Sequence, residues 1–301
     1  MIAKDGLSRV RSWRAPAAMA VYLGLLGLFA YLVFALQLGT SGGALGFAQV
    51  GRTAFTVLAV AQLALVCLFA PAVAAGAISG ERERQTLDVL VVSSMTPFGI
   101  VWGKLVASVA FILLLITVAL PVFATVFLFG GIDLGQFLIS QLLTVTTALA
   151  VGSVSLFLSA FLRRTLAATV VAYGLAFAGT AGTLLVGTAL TAITAAQRAL
   201  AGGGGAAADP HPLLLINPIY AMVDVLQNFP GGPMPLAKVP ALLVLSPAGP
   251  ATAAGPAIEP WVATVVVQAV LVVLSVLGAV RVLRGRRALT RPFATETSAP
   301  P

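Results

Sequence analysis

The sequence predicts an all-α membrane protein with six transmembrane helices and both termini in the cytoplasm. Three observations carry this prediction. Hydrophobic residues make up 59% of the chain and charged residues only 9%, with a mean hydropathy of +1.06, whereas a soluble globular domain carries about 25% charged residues. Long stretches without a single charge recur, each able to cross about 30 Å of hydrocarbon. Basic residues collect at alternate ends of those stretches, which is the pattern that orients a polytopic chain.

The elements follow in order. Residues 1–14 carry Lys4, Arg9, Arg11 and Arg14 and precede a charge-free run at 17–36. That run is longer than the apolar core of a secretory signal and more spans follow it, so it reads as a retained first helix with its basic flank inside. Further spans are expected at 54–79, 105–129, 134–162, 165–193 and 261–280, so that residues 1–301 form a single transmembrane domain. Pro71 and Pro121 fall inside two of these spans, where kinks are expected.

Threading six spans from a cytoplasmic N-terminus tests this layout with independent information. Lys4, Arg9, Arg11, Arg14, Arg82, Arg84, Lys104, Arg163, Arg164, Arg281, Arg284, Arg286, Arg287 and Arg291 fall inside, and only Arg52, Arg198 and Lys238 outside. Fourteen of the seventeen basic residues inside against three outside is strongly positive-inside. The opposite orientation would invert the bias.

The connections are unequal. Only 130–133 separate spans three and four, and only Arg163 and Arg164 separate four and five, which makes these helices antiparallel neighbours. The outer loop at 194–260 holds the glycine run 202–205, Asp209, the single histidine His211 and most of the prolines. Within it, 213–227 and 239–246 are apolar but too short or too proline-bounded to span, which predicts re-entrant or interfacial helices.

Several functions are disfavoured by the residues themselves. Intramembrane proteolysis needs a Ser–His pair, two Asp residues or an H-E-x-x-H helix at depth, and the predicted spans contain no Asp, Glu or His. His211 reads as a solvated loop residue. Ion-coupled carriers keep ionisable residues near the bilayer midplane, whereas these spans offer Gln62, Gln136, Gln141, Gln268 and scattered hydroxyls, expected to hydrogen-bond between helices. Gly103 and Lys104 do not form a phosphate-binding loop, because Phe98 stands at the first glycine position and Leu105 at the hydroxyl position. No ATPase or other catalytic site is therefore expected in this chain. The lone Cys67 can form no intrachain disulfide, and the net charge of +8 lies at span ends, not along a nucleic-acid-binding face.

The informative segment is 80–104, the largest predicted cytoplasmic connection. Glu81, Arg82, Glu83 and Arg84 alternate in sign where a helix leaves the membrane, and Leu87, Val91 and Met95 follow at helical spacing. A short amphipathic surface helix ending before Pro97 is predicted. Charges of both signs suit docking onto a protein better than retention by anionic lipid, although a solvated turn marking the membrane edge would carry the same residues.

This segment resembles the cytoplasmic loop of ABC-2 type transporter permeases. In that family a Glu-x-Glu pattern precedes Thr-Leu-(Glu or Asp), a proline turn and a Gly-Lys pair, matched here by Glu81, Glu83, Thr86, Leu87, Asp88, Pro97, Gly103 and Lys104. Gln85 stands where glycine is common and Asp88 where glutamate is common. The six-span layout and the outer loop with Asn217, Pro218 and Tyr220 are similar to the family as well.

The resemblance implies a permease that pairs with a second permease subunit, identical or not, each resting on a separate cytoplasmic ABC ATPase that binds ATP and Mg. The connection between spans two and three would be the coupling helix, with Glu81, Arg82, Glu83, Arg84, Thr86, Leu87, Asp88, Gly103 and Lys104 transmitting ATPase closure. The expected function is export of a hydrophobic or amphipathic compound across a prokaryotic plasma membrane, with no cofactor in this chain. A non-transporting membrane anchor for an ATPase and, less favoured, an ion-coupled secondary transporter are the alternatives.

Overall fold

A computed structural model describes residues 14–38, 44–85, 96–201, 210–228 and 259–289. Every regular element among them is helical, and six helices are long and apolar enough to cross a membrane. Helix α1 (Arg14–Leu38) and α2 (Ala44–Ala74) lead to the short α3 (Ser79–Glu83). Then come α4 (Pro97–Phe127), α5 (Leu134–Phe161), α6 (Thr165–Phe177), a π-helical turn (Ala178–Gly182) and α7 (Thr183–Leu200), the last three forming one span. The short α8 (Pro212–Leu215) and α9 (Pro218–Asn228) precede α10 (Pro260–Leu289).

The six helices overlap the six predicted spans, and two of them begin well before the predicted spans for one reason. Helix α2 begins at Ala44, not near residue 54, and α4 begins at Pro97, not near 105. Ending a span at its first charge left Arg52 and Lys104 in the connections between spans, yet both sit within helices and are buried, at 4% and 9% exposure. Partners from other elements hold them: Arg52 Nη2 donates to the Leu226 carbonyl at 3.4 Å, and Lys104 is ion-paired. The start of α4 is set locally, since Thr96 Oγ1 accepts from the Gly99 amide at 3.2 Å and Pro97 occupies the first turn. Pro71 and Pro121 lie within α2 and α4, which continue past them.

Helix α5 is the centre of the bundle, packed against α2, α4, α6, α9 and α10. Its start is fixed by a capping box in which Asp133 accepts from the Gly135 amide while Gln136 Oε1 accepts from the Asp133 amide. Several hydroxyls buried along it, among them Thr144, Thr147 and Ser155, donate to carbonyls of their own helix. Such small residues let neighbouring helices approach closely in a bilayer. Gln62 of α2 and Gln141 of α5 pair reciprocally through their amides at 3.2 and 3.3 Å, the interhelical role expected of them.

Two apolar clusters hold the ends of the bundle. One joins Tyr22, Phe55, Leu58, Leu115, Phe123 and Leu143 to Met222 and Leu226 of α9, with Phe55 and Phe123 edge to face at 5.5 Å. The other joins Ile78, Ile100, Leu105, Leu156, Val280 and Leu283. Because Met222 and Leu226 are core residues, α9 is packed into the bundle. The predicted short helix at 239–246, the glycine run 202–205 and Asp209 lie outside the described residues.

The turn between α4 and α5 places Gly130 and Gly131 at φ 75 and 82, a region open to glycine at no steric cost. A Cβ on Gly131 would also collide with the Ala48 carbonyl oxygen of α2.

Candidate functional site

Helix α2 ends at Ala74 because the following residues turn and restart as α3, and that restart is built by α5. The hydroxyl oxygen of Ser159 accepts from the amides of Ile78 and Ser79 at 3.0 and 2.9 Å, and its own proton goes to Ser79 Oγ at 3.2 Å. All of this is buried, so the charged residues that follow leave the bundle in one fixed direction.

Three successive charges then each grip a different helix. Glu81 Oε1 lies 2.6 Å from Lys104 Nζ of α4, with the two side chains 25% and 10% exposed. Arg82 donates from Nη1 to the Leu162 carbonyl at 2.8 Å and from Nη2 to the Ala160 carbonyl at 3.1 Å, both at the end of α5. Glu83 Oε1 accepts from the Thr165 amide at 2.7 Å, at the start of α6.

The chemistry of these last two contacts follows from helix ends. The final carbonyls of α5 and the first amides of α6 have no intrahelical partners. A cation at the C-terminal end and an anion at the N-terminal end also match the helix dipoles. The tight bend at 162–164 presents both ends side by side, and the adjacent Arg82 and Glu83 satisfy one each. The alternation of sign thus matches two opposite helix termini of the same chain.

Of the sequence-predicted site residues, Glu81, Arg82, Glu83 and Lys104 come together in this brace, with Gly103 beside Lys104 inside α4. Arg84 is exposed at the end of α3, and Gln85 follows at φ 57, the left-handed conformation. Thr86, Leu87 and Asp88, and the predicted amphipathic helix through Val91 and Met95, lie outside the described residues.

Sequence reasoning missed Ser159 and Thr165, whose roles depend on partners about 80 positions away. It also left Asn217 without a role. That side chain is fully buried, donating to the Thr180 carbonyl and Thr183 Oγ1 at 2.6 Å each, and accepting from the Ile219 and Tyr220 amides. It therefore caps α9 and pins it to the π turn of the fifth span. His211, expected as a solvated loop residue, is half-buried: its Nδ1 accepts from the Leu213 amide at 3.3 Å and its own amide donates to Thr191.

The basic residues at the α3 end of the bundle include Arg82, Arg84, Lys104, Arg163, Arg164, Arg281 and Arg284. A family model described as ABC-2 family transporter protein matches residues 37–277. No curated protein matches the chain.

Proposed function

Because the chain belongs to the ABC-2 family of transporter proteins, whose members are multi-pass membrane permease subunits of ABC transporters, we propose that it is the export subunit driven by a separate cytoplasmic ABC ATPase. Both termini and the 80–104 connection face the cytoplasm of a prokaryotic cell, and ATP and Mg are bound by the partner and not by this chain. Two permease subunits, identical or not, enclose the path. The cargo is hydrophobic or amphipathic, since spans with so few charges offer little to an ionic solute.

The observation that supports this reading most directly is the three-way brace. A force applied to the 80–104 connection reaches α4 through Glu81 and Lys104, the end of α5 through Arg82, and the start of α6 through Glu83. The helices bordering the connection thus share one anchor with the two that follow. In this reading, Arg84, Thr86, Leu87 and Asp88 meet the ATPase, while Glu81, Arg82, Glu83 and Lys104 carry its displacement into the membrane.

Reconstitution with the partner ATPase tests the proposal, the expected result being ATP-dependent outward movement of an amphipathic compound. An ATPase held or stimulated with no movement would establish a membrane anchor instead, and gradient-driven uptake without ATPase would establish an ion-coupled carrier. Orientation has its own test: in a Cys67→Ala background, T86C should react with an impermeant thiol reagent from the cytoplasmic side only. Labelling from outside sealed cells overturns the proposal.

A further inference from the structure

Two contacts at one offset show that α5 and α10 run side by side in the same direction. Gln268 Nε2 of α10 donates to Thr147 Oγ1 of α5 at 2.8 Å, an offset of 121 positions. Further along, Gly278 meets Phe157 at the same offset, so closely that a Cβ at 278 would stand 2.8 Å from the Phe157 ring. Continued toward the α3 end, this register brings Arg281 level with Ala160 and Phe161, and Arg284 level with Arg163.

The face of α10 that carries these arginines is exposed throughout. Val270, Leu274, Leu277, Arg281 and Arg284 recur at intervals of three and four, so they lie along one side of the helix. That side is apolar along the span and becomes cationic only in its last turns. Phe161, 59% exposed and stacked on Phe157 at 6.1 Å, adds an aromatic ring at the level where the charges begin, and Arg163 is exposed beyond it.

The negative groups at this end are already engaged. Glu81 pairs with Lys104, Glu83 accepts from the Thr165 amide, and the Ala160 and Leu162 carbonyls accept from Arg82. Among the described residues, no carboxylate pairs with Arg163, Arg281 or Arg284. Cations gathered at one level repel one another unless an anion from outside the chain lies between them.

We propose that the α3 end of the seam between α5 and α10 binds an anionic phospholipid, with its phosphate held by Arg281, Arg284 and Arg163 and its acyl chains lying along Leu277, Leu274 and Val270. Guanidinium groups meet phosphate oxygens in a two-pronged fork. The arginines continue a face that is otherwise apolar and belongs to a membrane-spanning helix, so their neighbours are lipids and not a soluble protein. The inference rests on the chain spanning a bilayer and not on export.

The test uses the full chain in phosphatidylcholine nanodiscs doped with a phosphatidylglycerol or a phosphatidylcholine probe, each carrying the same photoreactive diazirine high in one acyl chain. The phosphatidylglycerol probe is expected to label the segments around Leu277 and Phe161 at least about tenfold more than the phosphatidylcholine probe. R281Q/R284Q should bring the two probes close to parity, whereas R84Q, which removes a charge from the end of α3, should leave the preference in place. Equal labelling by the two probes in the parent overturns the proposal without recourse to any variant. A preference lost as fully in R84Q as in R281Q/R284Q would mean diffuse attraction to a positive end, and overturns it too. If R281Q/R284Q keeps the lipid preference and instead releases a copurifying ATPase, the arginines belong to a protein interface and the proposal fails.

Discussion

Lys104 Nζ of α4 stands 2.6 Å from Glu81 Oε1 of α3, tying the two ends of the 80–104 connection together inside the bundle. Because the lysine is nearly buried, removing its partner leaves a desolvated charge. Glu81→Gln or Lys104→Met alone is expected to cost about 2 kcal/mol, less than a fully buried pair because Glu81 is partly solvated. The double variant should lose less than the sum of the two, and equilibrium unfolding in mixed micelles gives the four stabilities of the cycle.

Arg82 should act on coupling more than on insertion. Its guanidinium reaches two carbonyls at once, Leu162 and Ala160, a geometry a single ammonium cannot copy. Arg82→Ala is expected to insert normally, retain ATPase stimulation and lose most transport, with Arg82→Lys recovering less than half. The ratio of substrate moved to ATP hydrolysed is the measurement. An unchanged ratio would confine Arg82 to capping α5.

Glu83 provides a companion case. Glu83→Gln keeps an acceptor for the Thr165 amide, whereas Glu83→Ala leaves the start of α6 without one. Ala should therefore uncouple more strongly than Gln in the same transport-to-hydrolysis assay. Equal defects would mean that the negative charge itself is read by the partner.

Gln85 holds φ 57, where a side chain costs about 1–2 kcal/mol relative to glycine. Gln85→Gly is expected to raise stability, by about 0.5 kcal/mol once the greater freedom of glycine in the unfolded chain is counted. Thermal unfolding in detergent should show a small upward shift. A downward shift would mean that the glutamine side chain makes a compensating contact.

Asn217→Ala removes four hydrogen bonds from a fully buried position and should cost about 3 kcal/mol. The local consequence is release of α9 from the π turn. Hydrogen exchange at the amides of α9 should be slow in the parent and markedly faster in the variant.

Much of the architecture was legible because bilayer physics writes it into composition. Each span announces itself by length and lack of charge, and the limits of α5 were readable to within one residue because Asp133 and the Arg163–Arg164 pair mark both ends. Helices α2 and α4 begin well before 54 and 105, because the rule that ends a span at a charge assumes that the charge has only water to meet. Arg52 and Lys104 meet Leu226 and Glu81 instead.

The 80–104 segment was legible in a narrower sense. Its charges and the Gly-Lys pair marked it by resemblance, but the same charges could have been a solvated turn or a docking face. What separates these readings is where the end of α5 and the start of α6 lie, some 80 residues further along the chain.

By itself the sequence determined that the chain is helical, has six stretches long and apolar enough to span a membrane and belongs with the ABC-2 permeases, since apolar length, charge placement and a short motif are local properties. Only the tertiary structure decided what the polar residues do: that Glu81, Arg82 and Glu83 each hold a different helix, that Asn217 locks α9, and that Gln268 of α10 pairs with Thr147 of α5. A buried polar group is defined by its partner, and in a helical bundle that partner comes from a distant stretch of sequence brought near only by packing.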